Sequence, residues 1–170
     1  MADVVSIELV LDDATDARVQ ADWRALADAG MSSLGAHTSP SNRPHLTLLA
    51  RPTLDVPRAA FALAAATLPV SVTLAEPVVF AHGDRGVLAW RVEPSDELRA
   101  LHTAVHTAAG SGEDLPHTAA ADWTPHVSLA RRLRLDALPD ALALIGPPIA
   151  GTGTTLRRWD AASATITVLR

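Results

Sequence analysis

Cysteine is absent from the 170 residues, which excludes disulfides, thiolate nucleophiles and cysteine-ligated zinc. Lysine is absent as well, so all 14 basic residues are arginine. There is no tyrosine and only 4% of residues are aromatic, so extensive stacking on nucleic-acid bases is not expected. No long apolar run occurs. The nearest, Ala59 to Ala66, falls far short of the roughly 20 residues a bilayer span needs. Met1-Ala2-Asp3-Val4 lacks the positive region and apolar stretch of an export signal, which predicts a soluble, cytoplasmic protein with no membrane partner. The net charge of −5 argues against broad binding to long nucleic acid, which depends on neutralising many phosphates. A small phosphate ester or an RNA end in a local arginine pocket remains open.

Two short stretches say nearly the same thing: Arg43-Pro44-His45-Leu46-Thr47-Leu48 and Thr124-Pro125-His126-Val127-Ser128-Leu129. Each reads Pro-His-apolar-hydroxyl-apolar. Side chains alternate between the faces of a strand, so each stretch buries its apolar pair and shows an imidazole beside a hydroxyl. Proline drives the residue before it into extended geometry, which suits the entry to a strand. The bland alternative is coincidence among seven histidines. One His-apolar-Ser/Thr-apolar match arises by chance in roughly one such chain in four, but two proline-led matches on the order of once in several thousand. His45 and His126 therefore read as a functional pair.

Along the chain, residues 4–11 read as a strand and Val19, Trp23 and Leu26 as the core stripe of a helix closed by Gly30. A polar loop over 32–42 leads to the His45 strand, and a helix follows through Phe61 and Ala64. Strands are expected at 70–74, 78–81 and 87–92, with His82 in an exposed turn. Ser95, Asp96 and Glu97 start a helix that buries Leu98, Leu101 and Val105 and ends at Gly110. A second polar loop, 111–123, leads to the His126 strand. A helix over 136–145, an extended stretch over 148–156, a bend at Trp159-Asp160 and a strand over 163–169 complete the order. Each half carries one motif after a polar loop, a degenerate internal repeat. The pattern predicts one α+β domain over residues 1–170, with two lobes of antiparallel sheet and helices packed outside.

His102 and His106 lie four apart, on one helix face. The intervening Thr103-Ala104-Val105 lacks the glutamate of a zinc-protease helix, and no third ligand is evident, so a solvated or partly packed face is expected and no metal. His117 has no evident partner.

Pro44-His45-Leu46-Thr47-Leu48 and Pro125-His126-Val127-Ser128-Leu129-Ala130-Arg131 resemble the paired HxTx signatures of the 2H phosphoesterase superfamily, closest to its 2′-5′ RNA ligase and cyclic phosphodiesterase branch. The resemblance extends through Gly86 to Val92, Glu97 to Leu101 and Trp123 to His126, and covers most of the chain. It implies a bilobal fold with pseudo-twofold symmetry, in which two antiparallel sheets face each other across a cleft and each supplies one histidine. It also implies metal-free hydrolysis of 2′,3′-cyclic phosphates or related phosphodiesters, with no cofactor, and in some members 2′-5′ joining of RNA ends. The substrate would be an RNA terminus or a small cyclic nucleotide; no obligate protein partner is implied. Ser128 departs from the commoner threonine but keeps the hydroxyl.

Opening a cyclic phosphodiester takes a proton from water and gives one to the leaving oxygen, and two imidazoles do both near neutral pH. Thr47 and Ser128 are placed to donate hydrogen bonds to the phosphoryl oxygens. Arg131 is a further candidate for stabilising that charge, but it lies off the His126–Ser128 alternation and would need a bulge. Arg43 is a weaker candidate. Which histidine is acid and which is base is open at this level. The rivals are a non-catalytic RNA- or nucleotide-binding module using the same cleft, and a metal-dependent hydrolase built on His102 and His106.

Overall fold

The computed structural model describes residues 3–169; Met1 and Ala2, part of the stretch read above for an export signal, lie outside them. Strand β1 (Val5–Leu11) is buried along its whole length. Asp12 caps helix α1 (Asp13–Asp28), accepting from the Thr15 N–H at 2.9 Å and the Thr15 hydroxyl at 2.7 Å. Val19, Trp23 and Leu26 are buried in α1, and Gly30 takes φ 73° just beyond it. Strand β2 (His45–Arg51) follows the polar loop, and the short helix α2 (Ala62–Ala65) follows a 3₁₀ turn at Arg58–Phe61.

Strand β3 (Val70–His82) and strand β4 (Arg85–Val92) form a long hairpin, with His82 exposed at its tip. The two strands expected over 70–81 are one strand of 13 residues that contains Pro77. Beyond Leu74, β3 no longer pairs with β6. From there it is an edge strand, where proline is tolerated.

Helix α3 (Asp96–Ala109) is capped by Ser95, buries Leu98, Leu101 and Val105, and ends at Gly110 with φ 66°. Strand β5 (His126–Arg134), helix α4 (Leu138–Leu144), strand β6 (Ile149–Asp160) and strand β7 (Thr165–Leu169) follow. The bend expected at Trp159-Asp160 is instead the end of β6, where both residues pair with β1 and β7.

The architecture is α+β, with four α-helices and one seven-stranded antiparallel sheet among the described residues. Strand order is β2-β1-β6-β3-β4-β5, with β7 also on β6. The two separate sheets expected from the sequence are thus joined. The reason is β6, whose first residues pair with Val70 to Leu74 while its remainder pairs with β1 and β7. Gly153 belongs to both ladders, opposite Leu11 and Val70. A Cβ there would stand 2.7 Å from the Leu9 Cγ, so any other residue forces the Leu9 side chain to move at this joint.

The sheet's buried face carries Ile7, Leu9, Leu46, Leu48, Trp90, Val127, Leu129 and Leu156. Strands β2 and β5 end the hydrogen-bonded path, yet they approach one another. The Trp123 indole N–H, just ahead of β5, donates to the Thr47 carbonyl in β2 at 3.3 Å. The two motif strands therefore meet, although 81 positions separate His45 from His126 in the chain. No helix among the described residues is long and apolar enough to cross a membrane.

Candidate active site

Both motifs are extended, and both show the expected alternation. Leu46, Leu48, Val127 and Leu129 are fully buried, while His45, Thr47, His126 and Ser128 are part-exposed on the opposite faces. The His45 Nδ1 lies 2.8 Å from the Arg43 carbonyl, and the His126 Nδ1 lies 2.7 Å from the Thr124 carbonyl. A carbonyl oxygen only accepts, so each Nδ1 carries a hydrogen. Each Nε2 is then the nitrogen that takes up or gives away a proton.

The ladders break at matching places. Glu8 pairs with Thr47 and Ile7 with Leu49, which leaves Leu48 as an extra residue. Ala89 pairs with Ser128 and Leu88 with Ala130, which leaves Leu129 extra. A bulge thus follows the hydroxyl residue in both motifs. In each case a tryptophan bonds the hydroxyl residue's carbonyl: Trp123 donates to Thr47, and Trp23 of α1 donates to Ser128 at 3.0 Å. The second bulge also bears on Arg131. The ladder slips again beside it: Leu88 pairs with Ala130 but Gly86 with Leu133, Arg132 takes φ 57°, and Arg131 is exposed in that second irregularity. The Ser32 hydroxyl donates to its carbonyl. Arg43, by contrast, is matched already: its guanidinium pairs with Asp16 at 3.0 Å and Asp13 at 3.5 Å.

Burial pushes the His126 imidazolium below the ordinary histidine value. The Thr124 carbonyl opposes that, and positive charge on His117 and His45 adds to it. Phe80 stands between two rings, 4.8 Å from His126 and 5.1 Å from His117 between centroids. His117 thus has the partner that the sequence did not reveal.

Glu8 was not singled out by sequence reasoning. It is 3% exposed and lies on the His45 face of β1. One carboxylate oxygen accepts from Ser6 at 2.7 Å and stands 3.5 Å from the His45 Nε2; the other accepts from the Arg157 Nε at 2.7 Å. The signal was present: a glutamate in the middle of an otherwise apolar strand.

His102 is buried rather than solvated. It stacks on Trp123 with centroids 3.9 Å apart and planes 13° from parallel. The His102 and His106 Nε2 atoms both bond the Thr118 carbonyl at 3.0 Å, and His106 also reaches the Leu48 carbonyl at 3.1 Å. Asp114 stands 3.6 Å from the His106 Nδ1 and 2.7 Å from the Arg51 Nε. This cluster fastens loop 111–124 against β2, with both Nε2 atoms on backbone carbonyls. Among the described residues no group of three or more histidine, aspartate or glutamate side chains is placed to hold a metal.

An antiparallel α+β fold whose meeting strands each present a histidine and a hydroxyl defines a protein of the 2H phosphoesterase class. The family model described as the 2′-5′ RNA ligase superfamily matches residues 11–167, and the chain belongs to that superfamily. Among solved structures it is similar to E. coli LigT in the apo form, at 16% identity and TM-score 0.58, over 99% of this chain and 95% of that one. It is similar to E. coli LigT complexed with ATP at 18% identity and TM-score 0.53, over 99% and 95%. A structure described as a phosphoesterase matches at 16% identity and TM-score 0.53, over 99% and 96%. No curated protein is matched in sequence.

Proposed function

We propose that the chain is a phosphodiesterase that opens 2′,3′-cyclic phosphates, or related nucleotide and RNA-terminal phosphodiesters, by metal-independent paired-histidine catalysis. The observation that carries this reading is the matched fixing of the two rings, each with Nδ1 tied two residues back and Nε2 left to work. Superfamily membership supports it, and so does the nucleotide ligand of LigT. One Nε2 takes a proton from water as the water oxygen bonds to phosphorus. The other Nε2–H gives its proton to the departing ribose oxygen as the P–O bond breaks, and a phosphomonoester results. The Thr47 and Ser128 hydroxyls donate to the non-bridging oxygens, and Arg131 adds positive charge at the rim. With the 5′-hydroxyl of an RNA end in place of water as the nucleophile, the same two proton transfers open the cyclic phosphate into a 2′-5′ phosphodiester as the 3′ ribose oxygen departs, which is ligation.

The test is turnover of a panel of 2′,3′-cyclic nucleotides and 2′-5′ and 3′-5′ dinucleotides in EDTA. Each proton transfer contributes roughly 10²–10⁴-fold, so His45→Ala and His126→Ala should each lose about that factor with the fold intact by circular dichroism. Unchanged turnover in either variant rejects the assignment. Intact nucleotide binding with no turnover by the wild type would favour a binding module, and loss of activity in EDTA would favour a metal enzyme.

A further inference from the structure

The two motifs match in their bulges, their tryptophans and their ring contacts, but not in what stands opposite them. Across the ladder from Thr47 is Glu8; across from Ser128, at the corresponding place, is Ala89. Across from His45 is Val10; across from His126 is Arg91, whose guanidinium pairs with Glu76 at 2.8 Å. One imidazole therefore has a carboxylate on its own face, and the other has a cation.

We propose that Glu8 makes the two histidines unequal, holding His45 as the proton donor and leaving His126 as the proton acceptor. The inference rests on the reading of the site as a phosphodiesterase centre and adds the direction of attack. Glu8 is buried, and a buried carboxylate stays ionised only when paired. Arg157, itself 6% exposed, supplies that pairing through one oxygen. The other oxygen faces Ser6 and the His45 Nε2. Since the His45 Nδ1 hydrogen is committed to the Arg43 carbonyl, a second proton on that ring must sit at Nε2, beside the carboxylate.

The charged groups around His45 are Glu8 on β1, Arg157 behind it on β6, and His126 on β5. The nearby Arg43 guanidinium is turned to Asp13 and Asp16 of α1. His126 has no carboxylate on it: burial beside Phe80 and the imidazoles of His117 and His45 favour its neutral ring. In-line displacement then has one direction. Water enters on the β5 side and loses its proton to the His126 Nε2, while the ribose oxygen leaves on the β2 side and takes the proton from the His45 Nε2. Glu8 is a positioning residue that acts through His45.

The experiment is an NMR titration of the imidazoles in the free protein, for wild type, Glu8→Gln, and Glu8→Gln with Arg157→Met. The double variant removes both buried charges together, and so guards against misfolding from an unpaired arginine. In the wild type His45 should keep its proton to a higher pH than His126. In the variants the His45 midpoint should fall by about one pH unit or more, the range set by an opposite charge at this separation. The falling limb of the kcat/KM profile should move down with it. A nucleoside 3′-(4-nitrophenyl phosphate) is cleaved by its own 2′-hydroxyl on the β2 side and expels the aryl group on the β5 side; since that group needs no acid, the ester should restore much of the rate lost in His126→Ala and none of that lost in His45→Ala, whose ring must take the 2′-hydroxyl proton. The proposal is overturned if His126 keeps its proton to the higher pH, if His45 does not move in either variant, or if the aryl ester rescues His45→Ala instead. A wild type that turns over no phosphodiester would remove the enzymatic reading, while the NMR order would still decide the role of Glu8.

Discussion

Acid should loosen this protein through one buried histidine. His102 is held down to about 4 from the ordinary 6.5, chiefly because burial disfavours its charged form. The charge on His106 adds to this, and the Thr118 carbonyl and Asp114 oppose it. Between those two values the unfolded chain binds a proton that the folded chain refuses, so stability falls as pH drops through the window and is complete above it. Integrated over that window, the penalty from this one group is about 2–3 kcal/mol at pH 4.5 relative to pH 8. For a chain of this size that corresponds to a fall in Tm of roughly 5–10 °C. Carboxylates titrate in the same range, so the comparison has to be with a variant that keeps them. His102→Phe does this: a phenyl ring can still stack on Trp123, and the Thr118 carbonyl keeps the His106 Nε2 at 3.0 Å. Urea unfolding of the two proteins between pH 8 and 4.5 should give curves that converge at the acid end as the wild type alone loses that increment. Parallel curves would refute the claim that His102 is folded neutral. The functional consequence follows from packing: Trp123 lies between His102 and the Thr47 carbonyl, so activity should be lost on acidification before the helices melt.

Because His126 is pushed down by burial, the acid limb of kcat/KM should lie below the ordinary histidine value; a limb above 6.5 would count against His126 as the base. Ser128→Ala removes one donor to the phosphoryl oxygens and should lower kcat about 10–100-fold, while Ser128→Thr restores the rate. Gly153→Ala forces a methyl against Leu9 and should destabilise by about 1–3 kcal/mol, read as a lower urea midpoint with an unchanged m-value.

What was legible in the sequence was whatever depends on near neighbours. The alternation that separates His45 and Thr47 from Leu46 and Leu48 has a period of two, and a strand keeps it without help from the rest of the chain. The Ser95 cap and Gly110 stop bound α3 for the same reason. Pro77 misled because proline reads as a break locally, and only the pairing of β3 shows that it sits where the strand is already an edge. The joining of two expected sheets into one was hidden because it depends on β6 meeting Val70 to Leu74 from nearly eighty residues away.

The doublets Leu48-Leu49 and Leu129-Ala130 were readable signs of the bulges, since each puts two apolar, fully buried residues in succession where the motif's alternation ends. The irregularity that Arg131 was expected to need is present on β5, where the ladder slips both at Leu129 and across Arg131 and Arg132. Glu8 shows the opposite case. The repeat that made the two histidines visible also suggested that they were equivalent, and equivalence is what acid–base catalysis cannot use, because at any moment one ring must hold the proton and the other must lack it. The proposed chemistry needs two imidazoles at one phosphorus, and the direction of the reaction has to come from a residue the repeat does not copy. At the positions facing the two hydroxyls, that residue is Glu8 in one half and Ala89 in the other.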